Sequence, residues 1–281
     1  MITQRLSTAF SEHVQMIELP VVVTDVGNNY VRDLDVEDFV IREDQAEQRI
    51  IDLHFETRPI TLGLLIDSSS SMANYMKDVR EAAISFLDAI REEDRAFVVS
   101  FNHNIEVLKD FEGGVEEAKE AINEIDAFGG TMLYSSIYFS LRKLEFVREK
   151  KVLIILSDGK DESQGLVNPY GEEINFPLIL EEAKHREVSV YSIAFRLADA
   201  NAVSELATLT RQTGGRLFTP SDIQGLVDAY DQIAEELKSQ YLVSYISSNR
   251  DWDGLWRTID VSIKDKNYRV RTREGYYAPK R

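Results

Sequence analysis

The sequence predicts an α/β protein in which a doubly wound, mostly parallel sheet is inserted into a small antiparallel β-sandwich-like domain. Between Ile60 and Leu237, compact apolar runs alternate with amphipathic segments at helical spacing, as repeated strand–helix units require. Both chain ends read instead as short strands separated by turns. The length of 281 residues, at about 150 per domain, fits two domains with a sizeable core.

In chain order, VVVTD, DFVIRED and RIIDLHFE are short strands around the turns Gly27-Asn28-Asn29 and Asp44-Gln45. The central region supplies TLGLLID, AFVVSF, VLIILSD and VSVYSIAF. These runs lack polar alternation, which marks parallel strands covered by helices on both faces. Between them, Met76, Val79, Ala83, Leu87 and Ile90 form one apolar helical face, and Leu133, Ile137, Leu141 and Leu144 form another. A further helix is expected to open on a capping box of Ser221 and Gln224 and to bury Leu226, Val227, Tyr230, Ile233 and Leu237. After it, Tyr241, Val243 and Tyr245, then Ile259, Val261 and Ile263, alternate with polar residues as half-buried antiparallel strands do. Neither end supplies enough strands for a core of its own. Residues 1–56 plus 237–281 are therefore expected to make one β-rich domain around an α/β domain at 57–236. The junctions near Arg58-Pro59 and Lys238-Ser239 are short, so the two should be held closely.

Composition excludes several function classes. The 32 Lys and Arg stand against 49 Asp and Glu, a formal charge of −17, which repels phosphate backbones and anionic headgroups; no nucleic-acid partner is expected. With no Cys and four scattered His, thiolate chemistry and His-rich metal sites are poor readings. No stretch reaches the roughly 20 apolar residues of a membrane span. MITQRLSTAF has no apolar signal core. Oligomeric state is not readable.

The chemistry lies after the first apolar strand, where LLIDSSSSM places Asp67, Ser69 and Ser71 at i, i+2 and i+4. In a loop leaving the carboxyl end of a parallel strand, that spacing turns three oxygens toward one point, at the edge where open α/β sheets carry ligands. Gly129-Gly130-Thr131 and Ser157-Asp158-Gly159 are expected to leave the same edge. An all-oxygen set of three hydroxyls and two carboxylates suits a hard cation such as Mg²⁺, with Mn²⁺ or Ca²⁺ as alternatives. If Ser69, Ser71 and Thr131 are direct neutral ligands and Asp67 and Asp158 stand behind them, the metal keeps much of its charge and attracts a carboxylate from another molecule. No His or Lys in these motifs is placed as a base, so binding is the expected role rather than hydrolysis. Ser68 and Ser70, at the intervening positions, read as backbone or cap residues.

The Asp-x-Ser-x-Ser loop, the Gly-Gly-Thr-Met-Leu-Tyr segment and the Ser-Asp-Gly turn, in this order, resemble the metal-ion-dependent adhesion site of von Willebrand factor type A domains over roughly Thr57 to Glu236. The resemblance implies a Rossmann-like fold and a Mg²⁺ site carried by Asp67, Ser69, Ser71, Thr131 and Asp158. The flanks VVVTDVGNNYVRDLDVEDFVIREDQAEQRI, SQYLVSYISSN and RVRTREGYYAP are similar to a bacterial subgroup, the von Willebrand factor A-related proteins best known from Acidobacteria, whose members are usually exported. The sequence departs from that subgroup at Gln45, where a turn Gly is common, and in having no visible signal. Localisation is therefore expected to be extracytoplasmic, secreted or periplasmic, with the signal peptide absent from this sequence; a cytoplasmic protein is the alternative.

The stretch KDESQGLVNPYGEEINFP after Asp158 is longer than most strand-to-helix loops and reads either as a solvated loop or as a specificity rim, with Asp161, Asn168 and Tyr170 as the residues to test. His103 and Asn102 could edge the site, although a lone His is more often structural. The leading function is a non-enzymatic adhesion module that holds a divalent cation and captures a protein ligand presenting an acidic side chain. The alternative is a structural or envelope-assembly protein whose metal is a staple and whose β domain is the interaction surface. An aspartyl phosphatase would need a second Asp at Ser69.

Overall fold

The amino-terminal segment supplies β1 (Met16–Thr24), β2 (Phe39–Glu43), β3 (Ala46–Gln48) and β4 (Ile50–Phe55). The structure is a computed structural model and describes residues 15–111, 115–159, 161–162, 165–197, 199–265 and 267–280. Residues 1–14 of the expected β domain, and Lys160, Ser163 and Gln164 of the expected rim, lie outside the described residues. At the β2–β3 hairpin, Asp44 and Gln45 both have positive φ, 46° and 72°, the pattern of a primed turn whose twist matches its strands. This is why Gly is favoured at position 45. The reversal after β1 is organised by the Asp25 carboxylate, whose Oδ1 accepts the Gly27 and Asn29 N–H groups at 2.8 Å.

The central region runs β5 (Ile60–Asp67), α1 (Met76–Ala89), β6 (Arg95–Phe101), β7 (Ile105–Lys109), α2 (Val115–Asn123), α3 (Leu133–Lys143), β8 (Lys150–Ser157), α4 (Phe176–His185), β9 (Ser189–Ala194), α5 (Ala200–Gln212), β10 (Leu217–Phe218) and α6 (Ile223–Lys238). Its sheet has the order β10-β9-β8-β5-β6-β7, parallel except for the antiparallel edge strand β7. Alternate side chains of each strand serve opposite faces, so both must be apolar. In β8, Val152, Ile154 and Leu156 join the core under α1, α2 and α6, whereas Leu153 and Ile155 join the core under α3 and α4. Gly63 in β5 leaves room for Phe97 and Leu153, which a Cβ would strike. The start of α6 differs from expectation: the N-cap is Asp222, which accepts the Gly225 N–H at 2.8 Å, while Gln224 bonds Asp228 along the helix. Asp caps at least as well as Ser, and the Gly225 spacing decides between them.

The chain ends with β11 (Tyr241–Ile246), β12 (Trp256–Ile263), β13 (Arg269–Arg271) and β14 (Gly275–Tyr277). Two four-stranded sheets result, ordered β13-β1-β11-β4 and β14-β12-β2-β3. Each mixes strands from both chain ends, through the antiparallel pairs β1–β11 and β2–β12. Leu19, Val21, Val23, Ile41, Val243 and Tyr245 fill the core between them.

The amino edge of the parallel sheet meets these strands through buried polar groups. Glu236 of α6 is 0% exposed, accepts the Tyr191 hydroxyl at 2.6 Å and pairs with Arg271 of β13. Tyr191 accepts from Gln240, which in turn accepts from the Lys150 ammonium. Burial pushes Lys150 down to about 8; Glu56 and Glu236 oppose the shift, and Arg58 and Arg91 add to it. Because the folded pKa lies below the unfolded value of about 10.4, the folded state binds this proton more weakly. The penalty is fully present below pH 8 and is relieved as pH rises toward 10. The stability difference between wild type and Lys150→Met is therefore expected to shift in favour of wild type by about 2 kcal/mol between pH 7 and pH 9.5. Urea unfolding at both pH values checks this, and a pH-independent difference would contradict it.

Candidate metal centre

The site is built at the carboxyl ends of the neighbouring strands β5 and β8, where adjacency forces the two following loops together. Asp67, the last residue of β5, is buried. Its Oδ1 accepts the Ser69 N–H at 2.9 Å and its Oδ2 accepts the Ser157 hydroxyl at 2.5 Å, so one carboxylate ties both loops. The Ser69 and Ser71 hydroxyl oxygens lie 3.0 Å apart, and Ser71 donates to Asp158 Oδ1 at 2.7 Å. These contacts bring together Asp67, Ser69, Ser71 and Asp158 from two distant motifs.

Thr131 arrives on a third loop. Backbone bonds from Ser70 N–H to Gly129 O, from Phe128 N–H to Ser68 O and from Met132 N–H to Asn102 O seat that loop against the first and against the end of β6. Gly129 turns the chain at φ +76°, and a Cβ there would fall on the His103 ring. Thr131 is buried, and its hydroxyl lies beside Gly159, where a Cβ would stand 3.2 Å from Oγ1. Glu162, absent from the sequence reading, clamps the Thr131 backbone: its N–H donates to Thr131 O at 2.8 Å and its Oε2 accepts the Thr131 N–H at 3.2 Å. An acid four residues beyond Asp158 was the available signal. Ser157 is likewise additional, as the donor to Asp67. Ser68 turns away into the core, where its hydroxyl accepts from Ser100 and Asn102 at 2.8 and 3.2 Å.

The expected rim residues take different places. Asp161 accepts the Tyr134 N–H at 2.9 Å, satisfying an orphan donor in the first turn of α3. Asn168 is buried; its Oδ1 accepts the Tyr170 and Glu172 N–H groups and its amide nitrogen donates to Glu172, so it organises the loop from within. Tyr170, at the tip, is 73% exposed. His103 packs edge-on against the exposed Phe128 ring at 5.2 Å.

Burial pushes the Asp67 carboxyl up to about 6, opposed by hydrogen bonds from Ser157 and Ser69 and reinforced by the Asp158 charge. Burial also raises Asp158, with Ser71 opposing. No described Lys or Arg pairs with either carboxylate. Among the described residues no three carboxylates or imidazoles converge; the donor set is two carboxylates and three hydroxyls. A buried and a half-buried like charge beside a cluster of hydroxyl oxygens, with no cation paired to them among the described residues, are what a divalent oxygen-seeking ion would compensate, so the donor set fits the expected metal.

A doubly wound sheet with three loops converging at its carboxyl edge defines an open α/β domain of the class that carries its sites at that edge. The family profile of the von Willebrand factor type A domain matches residues 62–232, and the chain belongs to that family. Inter-alpha-trypsin inhibitor heavy chain H4 of Bos taurus is 27% identical over 210 residues, covering 68% of this chain and 22% of that protein. The chain thus spans less than a third of the curated relatives it matches. Among solved structures, a von Willebrand factor type A protein from Catenulispora acidiphila is similar over 96% of this chain and 74% of its own, with TM-score 0.54 and 13% identity. The vWF domain of the type V pili tip protein Mfa5 from Porphyromonas gingivalis is similar over 64% of this chain and 95% of its own, with TM-score 0.53 and 16% identity. At these identities the likeness is one of fold. No described helix is long and apolar enough to cross a membrane.

Proposed function

We propose that this chain is a non-enzymatic adhesion module that holds a divalent cation, Mg²⁺ before Mn²⁺ or Ca²⁺, at Asp67, Ser69, Ser71, Thr131 and Asp158, and captures a protein ligand through a carboxylate. The convergence of the buried Asp67 and the half-buried Asp158, neither paired with a cation among the described residues, with three hydroxyls at the carboxyl edge of the sheet carries the reading. Family membership supports it. The fold shared with a pilus tip protein supports an extracytoplasmic place, and the paired β sheets around the α/β core support the von Willebrand factor A-related subgroup and a division into residues 1–56 plus 237–281 and 57–236. Bound there, the cation would supply an electropositive point that neutral hydroxyls leave largely unquenched. The chain's own residues orient it: Ser157 and the Ser69 N–H fix Asp67, Glu162 fixes Thr131, and Phe128 with Tyr170 offers exposed aromatic surface for a partner.

Calorimetry with Mg²⁺ tests the site. Thr131→Ala is expected to lower affinity on the order of 10–100-fold without changing the fold, and an unchanged affinity would remove Thr131. A screen of immobilised Asp- and Glu-bearing peptides tests the capture: binding that persists after chelation would sink the metal bridge.

A further inference from the structure

At the opposite, amino edge of the parallel sheet, a cleft of about 550 Å³ opens between the α/β core and the β strands, within the range of about 300–1,000 Å³ of small-ligand sites. Among the described residues six cations line it, Arg58, Arg148, Lys150, Lys151, Lys184 and Arg273, against the three carboxylates Glu18, Glu149 and Glu187. On a chain of net charge −17 this reversal of sign is local, and concave low-dielectric walls focus its field. We propose that this cleft binds a small multivalent oxyanion, a polycarboxylate or a phosphorylated compound, at a site separate from the candidate metal centre.

The partners these cations already have decide the argument. Lys184 is committed to Glu181 at 2.8 Å and to the face of Trp256 at 4.1 Å, and Arg58 to Glu56 and Glu18. The others retain donors. Lys150 is buried and gives one of its three N–H groups to Gln240. Arg273 bonds Glu187 at 2.9 Å and the Glu18 carbonyl at 3.2 Å, but its buried Nε has no hydrogen-bond partner among the described residues. Arg148 and Lys151 make no ion pair or hydrogen bond among the described residues. Burial, then Arg186 and Arg273, hold Lys151 below the ordinary lysine range against the pull of Glu187. Cations crowd one another here, and an unmet buried donor costs about 1–3 kcal/mol.

The retained donors come from the α3–β8 connection and the start of β8 on one wall and from the β13–β14 connection on the other, so the ligand needs at least two anionic groups to engage both walls. Arginine and lysine together at close range favour carboxylate or phosphoryl oxygens. The seven steps along β8 from Lys150 to Ser157 put roughly 23 Å between this cleft and the metal edge, so the two sites load independently.

Calorimetry and thermal shift with citrate and pyrophosphate, each against NaCl of equal ionic strength in metal-stripped buffer, test the proposal. Saturable binding of one probe or both is expected, and which one binds distinguishes the carboxylate from the phosphoryl source. Arg148→Gln/Lys151→Gln is expected to weaken that binding at least about tenfold while the unliganded melting temperature stays put. Glu187→Gln, which frees Arg273 and removes the negative charge near Lys151, is expected to tighten it severalfold. Absence of saturable binding for both probes, or equal affinity in all three proteins, would overturn the proposal.

Discussion

Arg271→Met is expected to cost the protein roughly 3–5 kcal/mol of stability. Glu236 is fully buried in α6 and meets one cation, Arg271, together with the Tyr191 hydroxyl. Removing the guanidinium leaves a buried carboxylate with no paired cation among the described residues, Lys150 acting on it only at a distance. The same substitution also deletes the Arg271 bond to the Gly214 carbonyl at 3.2 Å. Adding Glu236→Gln should recover most of the loss, because the neutral amide still accepts from Tyr191 and no longer needs a counter-charge. Urea unfolding of both singles and the double variant measures the coupling. A single-variant loss below about 1 kcal/mol would mean that the pair behaves as an exposed one.

Legibility in the sequence followed how local each cause is. The four long parallel strands could be read because both faces of each are buried, which writes an unbroken apolar run such as VLIIL. β7 and β10 could not: Ile105–Lys109 carries two charges on a sheet edge, and Leu217–Phe218 has two residues. The convergence of Asp67, Ser69, Ser71 and Asp158 was legible because neighbouring parallel strands send their loops to one edge. Ser157 and Glu162 were not, since their roles depend on which way side chains turn after the loops fold back. Asn168 read as a rim residue because Asn in a long loop looks solvated, whereas its amide is consumed by Glu172 four residues on. Nothing in the sequence sets Lys150 and Glu236 apart from ordinary charges at element ends. Their burial arises only when the strands of the two chain ends close over the sheet's amino edge.

The metal proposal makes its sharpest prediction at Asp158, where charge and shape can be separated. Asp158→Asn keeps an oxygen for the Ser71 hydroxyl, now 2.7 Å away, but removes one of two neighbouring negative charges that burial already disfavours. Without metal, the variant is expected to be as stable as wild type or more so, because the repulsion on Asp67 is gone. With metal the order reverses. At a Mg²⁺ concentration one hundred times its dissociation constant, wild type gains about 2.7 kcal/mol, while a variant with hundredfold weaker affinity gains about 0.4 kcal/mol. Melting curves with and without Mg²⁺ would show the wild-type shift and its near disappearance in the variant. A variant that loses stability without metal, yet keeps the full Mg²⁺ shift, would make Asp158 a structural residue and move the cation elsewhere. The opposing signs matter because general damage to the loop lowers both values together, whereas a site that tolerates uncompensated charge for binding raises one and lowers the other.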